Sequence, residues 1–138
     1  CLARGAAAEV FGPGSHGSTF GGNPLVCRAA RAVLETIVAE DLIANAAEQG
    51  AYLLDGFRDA LAHVPGVVEI RGRGLMLGIE LDRPCADLVG QALEAGLLIN
   101  VTAERVIRLL PPLILARPEA DRLLQGLSGS IKRYLGDA

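Results

Sequence analysis

The sequence predicts an α+β protein: a small, mostly antiparallel sheet with helices on one face, preceded by a glycine-rich loop and a linker helix. Three observations carry this reading. Apolar residues recur at helical spacing from Leu25 to Leu61, the period drops to two between Val67 and Leu81, and residues 12–23 hold glycines at positions 12, 14, 17, 21 and 22. A helix with one buried side repeats every 3.6 residues and a half-buried strand every two, so the change of period marks the change of element.

Taken in order, Ala6-Ala-Ala-Glu-Val10 predicts a short helical turn before the glycine loop. Asn23 is placed to cap a helix whose first residue is Pro24, since proline lacks only an N–H that the first turn leaves unused. Leu25, Ala29, Val33 and Ile37 carry that helix to about Ala39. A second begins near Asp41, with Leu42, Ala46, Leu53, Leu54, Phe57 and Leu61 on its buried side, and Pro65-Gly66 ends it. Val67–Arg71 reads as a strand, Gly72–Gly74 as a tight turn, and Leu75–Leu81 as the partner strand, with Leu75, Leu77, Ile79 and Leu81 facing inward. A helix from about Cys85 to Ala95 closes at Gly96 in a left-handed cap. Leu97–Val101 and Arg105–Leu110 are further strands, the last stopped by Pro111-Pro112, which cannot donate to a ladder. Pro118 opens a final helix with Leu123, Leu127, Ile131 and Tyr134 inward, weakened by Gly126 and Gly129. This divides the chain into a loop and linker helix, residues 1–38, and an α+β unit, residues 39–138.

Composition narrows the function. Hydrophobic residues make up 51% and charged residues 21%, the balance of a globular protein, and a net charge of −3 offers no basic surplus for nucleic acid or an anionic membrane. No apolar run approaches the roughly 18 residues of a spanning helix, and no signal-peptide pattern is read. Cys1, Cys27 and Cys85 form no C-x-x-C pair and stand beside no histidine cluster; they are expected to be free, mostly buried thiols of a reducing cytosol. His16 and His63 lie too far apart in sequence to suggest a metal site.

Chemistry concentrates in Gly12-Pro-Gly-Ser-His-Gly-Ser-Thr-Phe-Gly-Gly-Asn23. Glycines let main-chain N–H groups turn toward an anion, and Ser18 and Thr19 add hydroxyl donors, so the loop reads as a phosphate site. Gly12, Gly14 and Gly17 match the dinucleotide spacing G-x-G-x-x-G, but Pro13 interrupts it and the helix opens too late to meet a pyrophosphate. Gly12 to Thr19 fits a Walker A loop except that Ser18 replaces the lysine that reaches the β and γ phosphates. A solvent-exposed Gly/Ser turn is the bland alternative.

A third match extends through the chain. His16-Gly-Ser-Thr-Phe-Gly-Gly-Asn-Pro-Leu25, Arg71-Gly-Arg-Gly-Leu-Met76, Leu97-Leu-Ile-Asn-Val-Thr102 and Val106-Ile-Arg-Leu-Leu-Pro-Pro-Leu113 stand in family order, and together they resemble the class III (ornithine/acetylornithine) aminotransferases. The resemblance implies pyridoxal phosphate as cofactor and amino-acid and 2-oxo-acid substrates. It also implies that residues 1–38 end a fold-type I large domain, with 39–138 as the small carboxy-terminal domain. Thr19 is then expected to contact the cofactor phosphate of a neighbouring subunit in a homodimer, with Ser18 the lesser partner. Because the chain begins Cys1-Leu-Ala-Arg4, it is expected to be the last third of a longer protein whose upstream part holds the cofactor-binding lysine. The one lysine present, Lys132, reads as a solvated charge on the last helix.

Arg108 is the sharpest single candidate. On its strand it shares a face with Val106 and Leu110, and an arginine among apolar neighbours calls for a partner. A planar guanidinium is the best two-point clamp for a carboxylate, and the resemblance places substrate-carboxylate binding at this residue. An edge-strand arginine in solvent, or an ion pair with Glu80, is the structural alternative. His16 is expected to shape the loop, Asn23 to cap, and Arg71 and Arg73 to be surface or interdomain charges. A stand-alone α+β ligand-binding module that borrows the glycine loop is the competing functional class.

Overall fold

The computed structural model describes residues 3–15 and 17–136, and the chain divides into two compact units, residues 1–37 and 38–138. His16 and Cys1, both singled out in the sequence, lie outside the described residues.

In the first unit a 3-10 turn, Gly5–Glu9, precedes the loop; α1, Pro24–Ala39, begins in this unit and its last two residues belong to the second. The Val26 N–H donates to Asn23 Oδ1 at 3.1 Å, so Asn23 caps the helix that Pro24 opens. Its amide also donates to the Phe20 carbonyl at 2.7 Å, tying the end of the glycine loop to the helix start. Cys27 on α1 is exposed, a correction to the expected mostly buried thiols; Cys85 alone of the described cysteines is buried.

The second unit orders its elements as α2 (Leu42–Leu61), β1 (Val67–Arg73), β2 (Met76–Leu81), α3 (Asp87–Glu94), β3 (Asn100–Thr102), β4 (Val106–Leu109) and α4 (Arg117–Leu135). The four strands form one sheet in the order β1-β2-β4-β3, and every pairing is antiparallel. Leu77, Ile79, Leu81, Ile107 and Leu109 point to one face. There Leu53, Phe57 and Leu61 of α2, Leu88 of α3 and Ala120, Leu127 and Ile131 of α4 bury them. The hydrophobic core is aliphatic apart from Phe57 and Cys85, as a chain with three Phe and no Trp requires.

Boundaries differ from expectation where backbone commitments compete. β1 extends to Arg73, and Leu75 leaves the strand for a turn with Gly74 at φ 54°, its side chain still buried. β3 starts at Asn100 rather than Leu97. Leu97 N–H is committed to Ala92 O at 2.8 Å and Gly96 N–H to Leu93 O at 2.9 Å, a Schellman end to α3 with Gly96 at φ 76°. The β3–β4 loop is tight without glycine: Ala103 and Glu104 hold φ of 47° and 63°. Lys132 is partly buried on α4 rather than fully solvated. None of the described helices is long and apolar enough to cross a membrane.

Candidate functional site: an arginine row on the open face of the sheet

The face of the sheet turned away from the core carries the charged residues. Arg71 of β1 pairs in register with Gly78 of β2, Gly78 with Arg108 of β4, and Arg108 with Asn100 of β3. These four residues form one row across all four strands, with two arginines flanking a glycine. The neighbouring row runs Glu69, Glu80, Val106, Thr102. Side chains two apart on a strand share a face, so both rows point the same way.

The two arginines are in opposite electrostatic states. Arg71 Nη1 donates to Glu80 Oε2 at 3.0 Å and also to Glu69, and Glu80 followed by Glu69 raises its pKa above the ordinary guanidinium value. The second oxygen of Glu80 takes Arg105 Nη2 at 3.1 Å. Glu80, with only 18% of its side chain exposed, is therefore saturated by two cations. Arg108 is exposed, and its side chain has neither hydrogen bond nor ion pair among the described residues. The ion pair with Glu80 that would have made Arg108 structural is absent, because Arg71 and Arg105 occupy that carboxylate. Val106 does share the face of Arg108 and is buried, whereas Leu110 lies past the strand end and is exposed.

A groove of about 450 Å³ runs over this face, lined by Arg71, Arg73, Gly78, Thr102, Val106 and Arg108. On its other side Arg108 borders a hollow of about 320 Å³ with Leu98, Asn100 and Leu110. A free, planar, five-donor cation between two hollows can take a carboxylate by two parallel hydrogen bonds. The strand carrying it is steadied from behind: Asn45 of α2 donates to the Leu113 and Leu115 carbonyls at 2.7 and 3.1 Å, pinning the stretch that follows Pro111-Pro112. Nearby, Arg117 stacks 3.6 Å over the Tyr52 ring and pairs with Glu48, and Tyr52 donates to Asp121, which pushes the phenol pKa up.

The glycine loop is described in its own unit. Ser18 Oγ accepts the Gly21 N–H at 3.1 Å, so this hydroxyl closes the turn. Thr19 is exposed, and its hydroxyl and N–H have no partner among the described residues. Hydroxyl and main-chain donors among glycines suit a phosphate group, so the residues present fit the anchoring end of pyridoxal phosphate. No group of three potential metal ligands occurs among the described residues.

Gly78, Asn45 and the doubly paired Glu80 were not singled out as site residues from the sequence. A glycine inside an alternating strand is the available signal for the first; the contacts of the other two are long-range, and Glu80 enters the sequence reading only as an alternative partner of Arg108.

The chain belongs to the class III aminotransferases: the model of that family, "Aminotransferase class-III", matches residues 1–131. Among curated relatives it is 61% identical to acetylornithine aminotransferase 1 of Bordetella bronchiseptica over 97% of its length, and 48% identical to acetylornithine aminotransferase of Nitrosomonas europaea over 98%. It spans about a third of their length, 34% of each. Among solved structures, ornithine aminotransferase from Toxoplasma gondii superposes with a TM-score of 0.84 at 36% identity, over 96% of this chain and 32% of that one. Acetylornithine aminotransferase from Elizabethkingia anophelis gives 0.79 at 31%, over 92% and 34%.

Proposed function

We propose that this chain is the carboxy-terminal part of a pyridoxal-phosphate-dependent aminotransferase that moves an amino group from N-acetylornithine, or a related ω-amine, to 2-oxoglutarate in arginine biosynthesis. The observation that carries the reading is the unpartnered guanidinium of Arg108 on the groove, beside an arginine already neutralised by its own carboxylates. The names of the relatives favour acetylornithine as the donor. Pyridoxal phosphate, when bound, supplies the electron sink for the carbanion chemistry. This chain's residues do the rest of what falls to them. Thr19 holds the phosphate, Ser18 keeps the loop in shape for it, and Arg108 orients the substrate carboxylate by its two-point fork. Glu80 keeps Arg71 and Arg105 from competing for that carboxylate.

In this reading Thr19 serves the cofactor of a neighbouring subunit, so the working form is a cytoplasmic homodimer, and the upstream large domain brings the lysine. The test is glutamate formation by the full-length protein, supplied with 2-oxoglutarate and, in turn, N-acetylornithine, ornithine, succinylornithine and 4-aminobutyrate. N-acetylornithine is expected to be used fastest; no glutamate from any donor overturns the reading.

A further inference from the structure

Gly78 has no reason within the fold to be glycine. It sits in β2, an interior strand bonded to β1 on one side and β4 on the other, where glycine weakens pairing and packs nothing. Its φ lies outside the left-handed region, so no backbone conformation demands it. There is also room for a side chain. A methyl at this position would meet Val106 Cγ1 at 3.5 Å and the Arg71 side chain at 3.8 and 3.9 Å, all ordinary contacts. A glycine that a strand disfavours and the local packing does not require marks a place where something else approaches the backbone closely.

What approaches is indicated by the neighbours. Gly78 is the floor of the groove and stands directly between Arg71 and Arg108 in the row. Arg71 is turned toward Glu80 and Glu69, whereas Arg108, in register with Gly78, has no side-chain partner among the described residues. The ligand is thus anionic, held by Arg108, and thin enough at its charged end to lie against main chain.

We propose that Gly78 is a specificity-determining residue, a bare floor that lets a dicarboxylate set its carboxylate into the Arg108 fork flat against β2. This rests on the proposed role of Arg108 and adds to it the shape of the seat. A methyl on the floor lifts the carboxylate out of the plane of the fork and breaks one of two parallel hydrogen bonds, while the strand itself gains from losing a glycine.

The test is the affinity of the full-length holoenzyme for glutarate, an unreactive dicarboxylate, with melting temperature measured alongside. Gly78→Ala is expected to weaken glutarate by about tenfold with no fall in melting temperature, the scale of a methyl forced into a filled space. Gly90→Ala, on the exposed side of α3 where a methyl meets nothing within 4 Å, is the control and should leave the affinity unchanged. If Arg108→Ala leaves glutarate binding intact, the role of Arg108 fails and Gly78 with it. If Arg108→Ala weakens binding but Gly78→Ala changes it less than twofold, the Gly78 proposal alone is overturned. A Gly78→Ala protein that melts several degrees early overturns it too, since the glycine then serves the fold.

Discussion

Gly50 of α2 and Gly74 of the β1–β2 turn meet backbone to backbone. A methyl on Gly50 would stand 2.2 Å from the Gly74 carbonyl oxygen and 2.3 Å from its carbon. Both atoms belong to main chain, so neither can swing aside as a side-chain tip could. Gly50→Ala should therefore destabilise the protein by about 1–3 kcal/mol even after the helix gains from losing a glycine. Gly90→Ala should do the reverse, adding up to about 1 kcal/mol, because its helix position is open. Denaturant midpoints of the two variants should move in opposite directions; a shift of the same sign would mean the α2–turn contact gives way to a methyl.

Arg108→Lys should be far from conservative in the full-length enzyme. A point charge cannot reproduce two parallel hydrogen bonds, and loss of such a partner costs about 2–5 kcal/mol. On the proposed function one carboxylate seat serves both half-reactions, so the loss should appear in kcat/KM for amino donor and 2-oxoglutarate alike. Melting temperature should hold, because Arg108 has no ion pair among the described residues to lose. Early melting with normal transamination would make Arg108 a structural residue.

Thr19→Ala should loosen cofactor retention more than turnover. A hydrogen bond to a charged phosphate is worth about 1.5–3 kcal/mol, or on the order of tenfold to a hundredfold in affinity. Ser18→Ala should act differently, through the turn, since its Oγ already accepts the Gly21 N–H. Dialysis followed by back-titration with pyridoxal phosphate measures both, and an unchanged affinity in Thr19→Ala would reduce the loop to a scaffold turn.

Alkali should weaken the fold in a defined way. Burial pushes the Cys85 thiol pKa up, so the folded protein keeps a proton that the unfolded chain releases. Stability is fully present below the ordinary thiol value of about 8.5 and is lost as pH rises through the folded-state value. Tyr52, raised by its hydrogen bond to Asp121, adds a loss of the same sign above about pH 10. Melting temperatures of wild type and Cys85→Ala, followed from pH 7 to 10, should show the flatter decline in the variant; parallel curves would exclude Cys85 as a source.

Local signals are legible in the sequence. The Asn23 cap, the Gly96 end of α3 and the alternation of Leu77, Ile79 and Leu81 each depend on residues within a few positions of one another. Their outcome was legible because the physics is local. The strand limits at Leu97 and Leu75 differ from expectation because the end of α3 takes the Leu97 N–H and the turn at Gly74, held at φ 54°, includes Leu75. The state of Arg108 was open for a different reason. Whether Glu80 pairs with residue 71, 105 or 108 depends on the register of three strands, which periodicity alone does not fix. The row that joins Arg71, Gly78, Arg108 and Asn100 exists only once the sheet order β1-β2-β4-β3 is known.

That order has a mechanical consequence. β4 is an interior strand, so the peptide carrying Arg108 is laced to β2 on one side and to β3 on the other. An anion that seizes the guanidinium pulls on a plate braced by three helices, with little give at the point of attachment. Force applied there is shared with the strands on either side. Any yielding that capture of an anion demands must then come from the torsions of the arginine side chain itself, not from the peptide that carries it.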